Sequence, residues 1–321
     1  MDIKALAYVG FGSTNPLEWL QFGTDVLGMM PARAVPGAGW GPPTVPRPAS
    51  EQTGIGADGS VYLKMDERQW RIAAHPHTKN GALLYMGMEF DGPEPFAVAL
   101  KELKDARIEV TVGTDQEAAA RAVTALARIR DPNGVSIELF YGHTCDYMFH
   151  SPHYDHHFVA GHLGVGHMNL FLQKQPECFD FYTKVLGFRL SDYISFGPGV
   201  RLQFLRCNPR HHSLAIVDLG GVTGVQHFLV EMADIDMVGR TLDRAKKAGY
   251  KVVATLGRHR NDGMLSFYMR GPGGFDVEAG CQGKLLDETW RANEFCEGDP
   301  WGHDGIIDAM GESLKDMAQQ K

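Results

Sequence analysis

Two spacings of hydrophobic and polar positions recur along this chain, one typical of strands and one typical of helices. VRLQFL (200–205) alternates like a half-buried strand, whereas Met237, Leu242 and Ala245 recur at helical spacing. From residue 163 onward these patterns predict strand, helix, three strands, strand, helix and three strands. The predicted segments are 163–172, 176–187, 188–195, 200–206, 212–218, 225–232, 235–248, 251–256, 264–270 and 274–279.

The first half of the chain repeats this pattern with different polar residues. Aligning the Val-Leu-Gly triplets at 26–28 and 185–187 places Tyr8 on His167. Two further segment pairs match in the same way, 83–92 with 224–234 and 130–142 with 270–280. The repeat therefore aligns three polar positions, which read Tyr8, Tyr85 and Glu138 in the first copy and His167, His227 and Glu278 in the second.

This repeat predicts an α+β protein made of tandem βαβββ modules. The first module spans residues 1–142, residues 143–162 form a linker, and the second module spans 163–285. Residues 286–321 are polar and are expected to form a tail outside both modules. Residues 31–60 are rich in Pro and Gly and have no counterpart in the second copy, so they predict a long loop.

Composition narrows the range of partners. The 321 residues are 44% hydrophobic and 22% charged, as in a globular protein, and the net charge of −8 argues against nucleic-acid binding. No apolar run reaches the roughly 18 residues that a membrane span needs. The first residues, MDIKALAYVGFG, lack a basic segment followed by an apolar core, so we expect no secretory signal. The 5 cysteines are scattered, so we expect free thiols in a cytoplasmic protein. The negative net charge favours a small, uncharged ligand.

The candidate chemistry of the second copy lies in His167, His227 and Glu278. A single buried histidine is more often a hydrogen-bonded core residue than a ligand, but three such groups are costly to bury without a partner. Two imidazoles and one carboxylate form the ligand face that non-haem Fe(II) uses, with open positions for substrate and dioxygen. Mn(II) suits the same set, whereas zinc more often prefers four-coordinate closure.

Two further stretches, NPRHHSLAI (208–216) and LGRHRNDGMLSFY (256–268), add histidines, an aspartate and a tyrosine to this set. With these motifs, and with GHMNLF, QHFLVE and GFDVEAG, residues 1–285 closely resemble the type I extradiol ring-cleavage dioxygenases of the vicinal oxygen chelate superfamily. The motifs are most similar to those of the 2,3-dihydroxybiphenyl 1,2-dioxygenase group. The resemblance implies two vicinal-oxygen-chelate domains, a non-catalytic N-terminal one and a metal-binding C-terminal one.

The resemblance also implies a role for each matched residue. His167, His227 and Glu278 would bind Fe(II), with Mn(II) as the alternative metal. His212 would be the acid–base group beside dioxygen, whereas His211 would be structural. The other matched residues would face the substrate, His259 and Tyr268 as catalytic and substrate-binding groups, and Asn261 and Asp262 as substrate-binding groups.

The implied reaction is extradiol cleavage of a catechol by dioxygen, which gives a ring-opened hydroxy-dienoate. A substituted or bicyclic catechol, such as 2,3-dihydroxybiphenyl or 1,2-dihydroxynaphthalene, is the expected substrate, in the degradation of aromatic compounds. The protein is expected to form a homo-oligomer. The residues expected to line an apolar pocket are Val165, Phe171, Ile194 and Pro272.

Two other functions fit the same fold. A glyoxalase-like metal-dependent isomerase usually builds its site across two modules, whereas here one module holds all three candidate ligands. A bleomycin-resistance-type binding protein needs no metal ligands, so the retained triad disfavours it. The histidines between the modules lack a recognisable metal-ligand spacing and predict a polar connector; they are His143, His150, His153, His156, His157 and His162.

Overall fold

The computed structural model of the chain describes residues 1–32, 53–146 and 149–319. The chain divides into two compact units, Met1–Val165 and Gly166–Lys321. Most of the loop predicted at 31–60 lies outside the described residues. Across the part of the chain that is described, no helix is long and apolar enough to cross a membrane.

The first unit contains two βαβββ motifs in succession. Its strands are β1 (Ala5–Ser13), β2 (Met30–Pro31), β3 (Val61–Lys64), β4 (Ile72–Pro76), β5 (Leu83–Phe90), β6 (Thr111–Val112), β7 (Ala125–Arg130) and β8 (Ser136–Tyr141). Its helices are α1 (Pro16–Gln21), α2 (Pro93–Asp105) and α3 (Asp115–Arg121). A π-helical turn, Phe22–Leu27, continues α1, and a 3-10 turn spans Gly161–Leu163.

The second unit repeats the two motifs and adds a strand and a helix after them. Its strands are β9 (His167–Phe171), β10 (Arg189–Gly197), β11 (Val200–Arg206), β12 (Leu214–Val217), β13 (Gly224–Glu231), β14 (Val252–Arg258), β15 (Leu265–Arg270), β16 (Asp276–Cys281) and β17 (Asn293–Phe295). Its helices are α4 (Gln175–Asp180), α5 (Ile235–Lys247) and α6 (Ile306–Gln319), and a π-helical turn, Phe181–Val185, continues α4.

Each unit has one mixed sheet, and the two sheets share the same strand order. The order is β6-β7-β8-β5-β1-β4-β3-β2 in the first sheet and β14-β15-β16-β13-β9-β12-β11-β10-β17 in the second. In each sheet a central antiparallel pair, β1 with β5 or β9 with β13, joins the two motifs. The predicted α+β class with tandem βαβββ modules is therefore confirmed.

Local sequence explains where α5 begins, ends and packs. The Asp234 side chain accepts a hydrogen bond from the backbone N–H of Met237 at 2.9 Å and caps the N-terminus of the helix. Gly249 follows the helix with a φ of 81°, a left-handed conformation that glycine adopts without strain. The helix packs against β15 and β16. Its buried residues recur at helical spacing and are Met237, Val238, Thr241 and Ala245.

The prediction that the C-terminal segment lies outside both modules is wrong. β17 pairs in parallel with β10 and extends the second sheet, and α6 packs against β13 and β14. Met310, Leu314 and Met317 of α6 pack against a hydrophobic cluster that contains Phe171 and Phe204. The segment therefore belongs to the second unit, because burial on the sheet removes the apolar face of α6 from water.

The predicted linker lies within the first unit, and its described residues include both exposed and buried side chains. The Ser151 hydroxyl donates a hydrogen bond to the backbone oxygen of Gly28 at 2.7 Å. The His143 side chain is buried and packs edge-on against the rings of Tyr8 and Trp70. The polar composition of the segment therefore did not predict the burial of His143, since an imidazole also packs well against aromatic rings.

Candidate active site

Strand register brings the three candidate ligands of the second unit onto one face of its sheet. His167 on β9 pairs with Leu229 on β13, and Leu229 pairs with Glu278 on β16. His227 lies two residues before Leu229, so its side chain points to the same face. Because paired residues share a face, side chains that are distant in sequence meet at one place.

The three side chains lie close enough together to share one cation. Nε2 of His167 lies 2.8 Å from Nε2 of His227, and each of these nitrogens lies 3.3 Å from Oε2 of Glu278. Donors on one face of a small octahedral ion, with bonds of about 2.1 Å, lie about 3 Å apart. The Glu278 carboxylate is completely buried and accepts no hydrogen bond from the described residues. A buried carboxylate without a donor is costly, so this set fits a divalent metal ion.

Burial and neighbouring charge keep two of these groups in the forms that bind a metal. Burial lowers the pKa of His227 to about 3, against the attraction of Glu278, so the imidazole is neutral at pH 7. Burial opposes ionisation of Glu278, but the adjacent His167 and His259 rings hold its pKa well below its usual range. Neither His227 nor Glu278 therefore has to lose a proton before a metal binds.

His212 lies against this set without belonging to it. Its ring stacks on the His167 ring at a centroid distance of 3.9 Å. Its Nδ1 lies 3.1 Å from Nδ1 of His211, and Nε2 of His211 lies 2.8 Å from Oδ2 of Asp192. Burial, followed by the neighbouring His167, lowers the pKa of His212 well below its usual value. His212 is therefore a neutral imidazole at pH 7.

His259, which follows β14, lies beside Glu278. Its Nε2 lies 2.7 Å from the Tyr268 hydroxyl and 3.4 Å from Oε1 of Glu278, and its Nδ1 lies 2.5 Å from Oδ1 of Asp299. Burial opposes protonation of His259, but Asp299 and Glu278 raise its pKa well above its usual value. Burial and then the Glu278 charge raise the pKa of Tyr268, so Tyr268 remains a neutral O–H donor.

Asn261 and Asp262 follow His259 in the chain and are both buried. Oδ1 of Asp262 accepts a hydrogen bond from the backbone N–H of Met264 at 2.9 Å, and Oδ2 lies 3.9 Å from Nδ1 of His212. The side-chain NH2 of Asn261 donates to no described residue. Asp262 is therefore held by its own turn, whereas the Asn261 amide can donate to a ligand.

A cavity of about 380 Å³ is lined by every predicted metal-binding, catalytic and substrate-binding residue, namely His167, His212, His227, His259, Asn261, Asp262, Tyr268 and Glu278. Its volume lies within the range of ligand pockets, about 300–1,000 Å³. Phe196 and Ile307 are 45% and 67% exposed, so the apolar lining continues to the mouth of the cavity. The apolar side chains that line it include Ile194, Phe196, Phe204, Ile306, Ile307 and Met310.

Of the four residues expected to line an apolar pocket, only Ile194 does so among the described residues, and the prediction for the others is wrong. Phe171 is buried in the hydrophobic cluster that also contains Ile194. Val165 belongs to the first unit, where its backbone N–H donates to the oxygen of Leu6 at 3.0 Å. Pro272 lies in the turn between β15 and β16. Nearness in sequence to site residues does not decide which way a side chain points, because successive strand residues face opposite sides.

The equivalent position in the first unit is closed by hydrogen bonds. The Tyr8 hydroxyl donates to Oε2 of Glu138 at 2.9 Å, and Arg121 donates to both oxygens, from Nε at 2.9 Å and from Nη2 at 3.1 Å. The Tyr85 hydroxyl lies 2.6 Å from Nε2 of His75. Glu138 therefore already has the positive partner that a metal ion would supply.

Two residues near the chain end join the site and were missed by the sequence analysis. Asp299 contacts His259, and Nδ1 of His303 lies 2.8 Å from the same Asp299 oxygen. Their only signal was the polar motif DPWGHD (299–304), which follows the repeat. Because this motif has no counterpart in the first copy, the internal alignment could not assign it a position.

Comparisons relate the chain to proteins of known activity. Residues 164–279 match the Glyoxalase/Bleomycin resistance protein/Dioxygenase superfamily. An iron-dependent extradiol dioxygenase of Rhodococcus jostii (strain RHA1) is 35% identical over 316 residues, 95% of this chain and 98% of that protein. A biphenyl-2,3-diol 1,2-dioxygenase of Metapseudomonas furukawaii is 34% identical over 327 residues, 99% of each chain. The crystal structure of BphC, a halotolerant catechol dioxygenase, matches 96% of both chains with a TM-score of 0.84 and 30% identity.

Proposed function

The chain belongs to the extradiol dioxygenases of the glyoxalase/bleomycin resistance protein/dioxygenase superfamily, and we propose that it cleaves a catechol ring beside its two adjacent hydroxyl groups. Dioxygen is the second substrate, and both of its atoms enter the ring-opened product. The observation that carries this proposal is the convergence of His167, His227 and Glu278 on a cavity that also exposes His212 and Tyr268.

We propose Fe(II) as the metal that His167, His227 and Glu278 bind. The donor set supports this choice, because two imidazoles and one carboxylate on one face suit Fe(II), and Mn(II) is the alternative. When bound, the metal supplies an electron path between the diol and dioxygen. In the first unit Arg121 neutralises Glu138, and this supports a non-catalytic role for that unit.

Tyr268, His259 and Asn261 are proposed to hold the diol. Tyr268 is a neutral phenol whose O–H can donate a hydrogen bond to an ionised diol oxygen. The His259 ring lies next to that hydroxyl, and the Asn261 side chain offers an NH2 group that donates to no described residue. These groups orient the ring and favour the ionised form of the diol.

His212 is proposed to move the proton. Its buried ring is neutral, so it is free to take a proton from the diol and return it to the oxygen atom set free when the O–O bond breaks, an atom that is then incorporated in the product. Asp262 lies 3.9 Å from Nδ1 of His212 and favours a hydrogen on that nitrogen. Diol and dioxygen together supply every atom of the product, so the reaction needs no further co-reactant.

We propose a substituted or bicyclic catechol, such as 2,3-dihydroxybiphenyl or 1,2-dihydroxynaphthalene, as the substrate. Apolar side chains line the cavity up to its exposed mouth, where Phe196 and Ile307 lie, and this favours a diol with a second apolar ring. We further propose that the enzyme acts in the degradation of aromatic compounds, as a cytoplasmic homo-oligomer.

The two other functions on this fold have less support. A glyoxalase-like isomerase needs a metal site but does not bind dioxygen. It therefore has no need of His212, which stacks on His167 next to the place proposed for dioxygen. A bleomycin-resistance-type binding protein gains nothing from Glu278, a buried carboxylate that lies 3.3 Å from the His167 and His227 nitrogens without a hydrogen bond to either. Retaining that costly group favours a metal enzyme.

The test is oxygen uptake by enzyme loaded with Fe(II) without air, measured against catechol, 2,3-dihydroxybiphenyl and 1,2-dihydroxynaphthalene. We expect one dioxygen consumed per diol and a yellow product from at least one of them. The control substrate is 2-hydroxybiphenyl, which lacks the second hydroxyl group. No uptake with any diol, or isomerisation of a hemithioacetal of methylglyoxal and glutathione, would refute the proposal.

A further inference from the structure

The segment 298–304 lies along β14 and brings its side chains to the active site. The backbone N–H of Arg258 donates to the oxygen of Trp301 at 3.0 Å, and that of Arg260 donates to the oxygen of Gly298 at 2.8 Å. Backbone hydrogen bonds on both sides of Asp299 restrict the positions that its side chain can take.

The approach of this segment to β14 is close. A Cβ atom on Gly257 would lie 2.4 Å from the backbone nitrogen of His303, so only glycine fits at that position of the strand. The His303 ring is buried, and its Nε2 lies 3.0 Å from the backbone oxygen of Ser266 on β15. The segment therefore has a fixed place against two strands of the sheet.

Asp299 contacts two imidazoles with one carboxylate oxygen. Oδ1 lies 2.5 Å from Nδ1 of His259 and 2.8 Å from Nδ1 of His303. An ionised carboxylate only accepts hydrogen bonds, so the His259 nitrogen that faces it carries the hydrogen. The other nitrogen, Nε2, then meets the Tyr268 hydroxyl at 2.7 Å.

We propose that Asp299 is a positioning residue that fixes the His259 ring through a hydrogen on Nδ1 and so presents Nε2 to Tyr268 and the substrate. This inference rests on the proposed dioxygenase function. A carboxylate behind a histidine fixes both the ring orientation and the nitrogen that bears the hydrogen. His303 contacts the same oxygen of Asp299, so the C-terminal segment supplies a support for His259 that the three strands carrying the candidate ligands do not.

The kinetic test compares Asp299→Ala and Asp299→Asn with wild type, all loaded with Fe(II). Asp299→Asn keeps the shape of the side chain without its charge, and Glu297→Gln is the control, since Glu297 pairs with Arg260 in an exposed position at 3.0 Å. We expect kcat for 2,3-dihydroxybiphenyl to fall about 10–100-fold in both Asp299 variants, by analogy with the range for carboxylates that support metal-ligating histidines. KM, iron content and melting temperature should stay close to those of wild type.

A second measurement, 15N NMR, determines directly which ring nitrogens of His259 carry a hydrogen. In Zn(II)-loaded enzyme with 15N-labelled histidine, the signals of His259 are assigned with His259→Asn. Nδ1 of His259 should carry a hydrogen throughout the neutral pH range in wild type, and this fixed hydrogen should be lost in Asp299→Ala. An unchanged ring signal, or kcat within about threefold of wild type in both Asp299 variants, would overturn the inference. The inference would also be overturned if the loss of iron in the Asp299 variants fully accounted for their loss of turnover. A wild-type enzyme inert toward every catechol would overturn the proposed function alone, because the ring signal does not depend on turnover.

Discussion

Replacing His212 by Phe should separate proton transfer from metal binding. Phenylalanine keeps a flat ring that can stack on His167, where the two imidazole centroids lie 3.9 Å apart, but it removes both ring nitrogens. His212 supplies no atom to the group formed by His167, His227 and Glu278. We therefore expect the variant to retain iron and to bind the diol nearly as wild type does.

The size of the effect follows from what the ring nitrogens do. Loss of a general acid–base group lowers kcat by about 10²–10⁴-fold, which corresponds to about 3–5 kcal/mol in the activation free energy. The free energy of unfolding should change by less than the activation free energy. Nδ1 of His211 lies 3.1 Å from Nδ1 of His212 and would lose this partner, and a buried polar group without a partner costs about 1–3 kcal/mol in the free energy of unfolding.

The matched variant is His167→Ala, which removes one of the three candidate ligands and should lose iron together with activity. Elemental analysis gives the iron content, anaerobic titration gives the affinity for 2,3-dihydroxybiphenyl, and rapid mixing with dioxygen gives the rate of ring opening. The role assigned to His212 is wrong if His212→Phe loses iron as completely as His167→Ala. It is equally wrong if His212→Phe keeps full turnover with every catechol.

Three further predictions concern the metal count and the first unit. Elemental analysis should find one Fe(II) per chain, retained in Glu138→Gln and lost in Glu278→Gln; two tightly bound ions would contradict the assignment. Arg121→Met should destabilise the fold by about 3 kcal/mol without changing kcat per bound iron, because Glu138 would keep its buried charge and lose its main partner; an unchanged melting temperature would speak against this. Burial and then Arg121 lower the pKa of His75 to about 4 from its ordinary 6.5. Between pH 6.5 and pH 4 His75 is therefore protonated in the unfolded chain but not in the folded one. The free energy of unfolding should fall by up to about 1.4 kcal/mol per pH unit as the pH drops through this range. His75→Gln should flatten this slope in thermal melts, and an equal slope in both proteins would rule the explanation out.

Much of this protein could be predicted from local patterns. Alternation and helical spacing predicted the βαβββ order, because each pattern reports within a few residues which side of an element is buried. The internal repeat then singled out His167, His227 and Glu278, since equivalent strands of two copies place equivalent residues on the same face. The motifs around His212 and His259 likewise lie on or beside strands that the repeat had already located.

The chain end shows what only the tertiary structure decided. Asp299 meets His259 across 40 residues of sequence, and β17 joins the edge of the sheet beside β10. An edge strand pairs through its backbone N–H and C=O groups, which almost every sequence can supply. The pairing of β17 with β10 therefore could not be predicted from a side-chain pattern in 286–321. The direction of side chains was the second feature that the sequence did not predict, since Ile194 lines the cavity whereas Phe171 is buried in a hydrophobic cluster. The sequence by itself determined the repeated modules and the candidate ligands, while packing of the second unit decided which further groups support His259 and which apolar side chains shape the cavity.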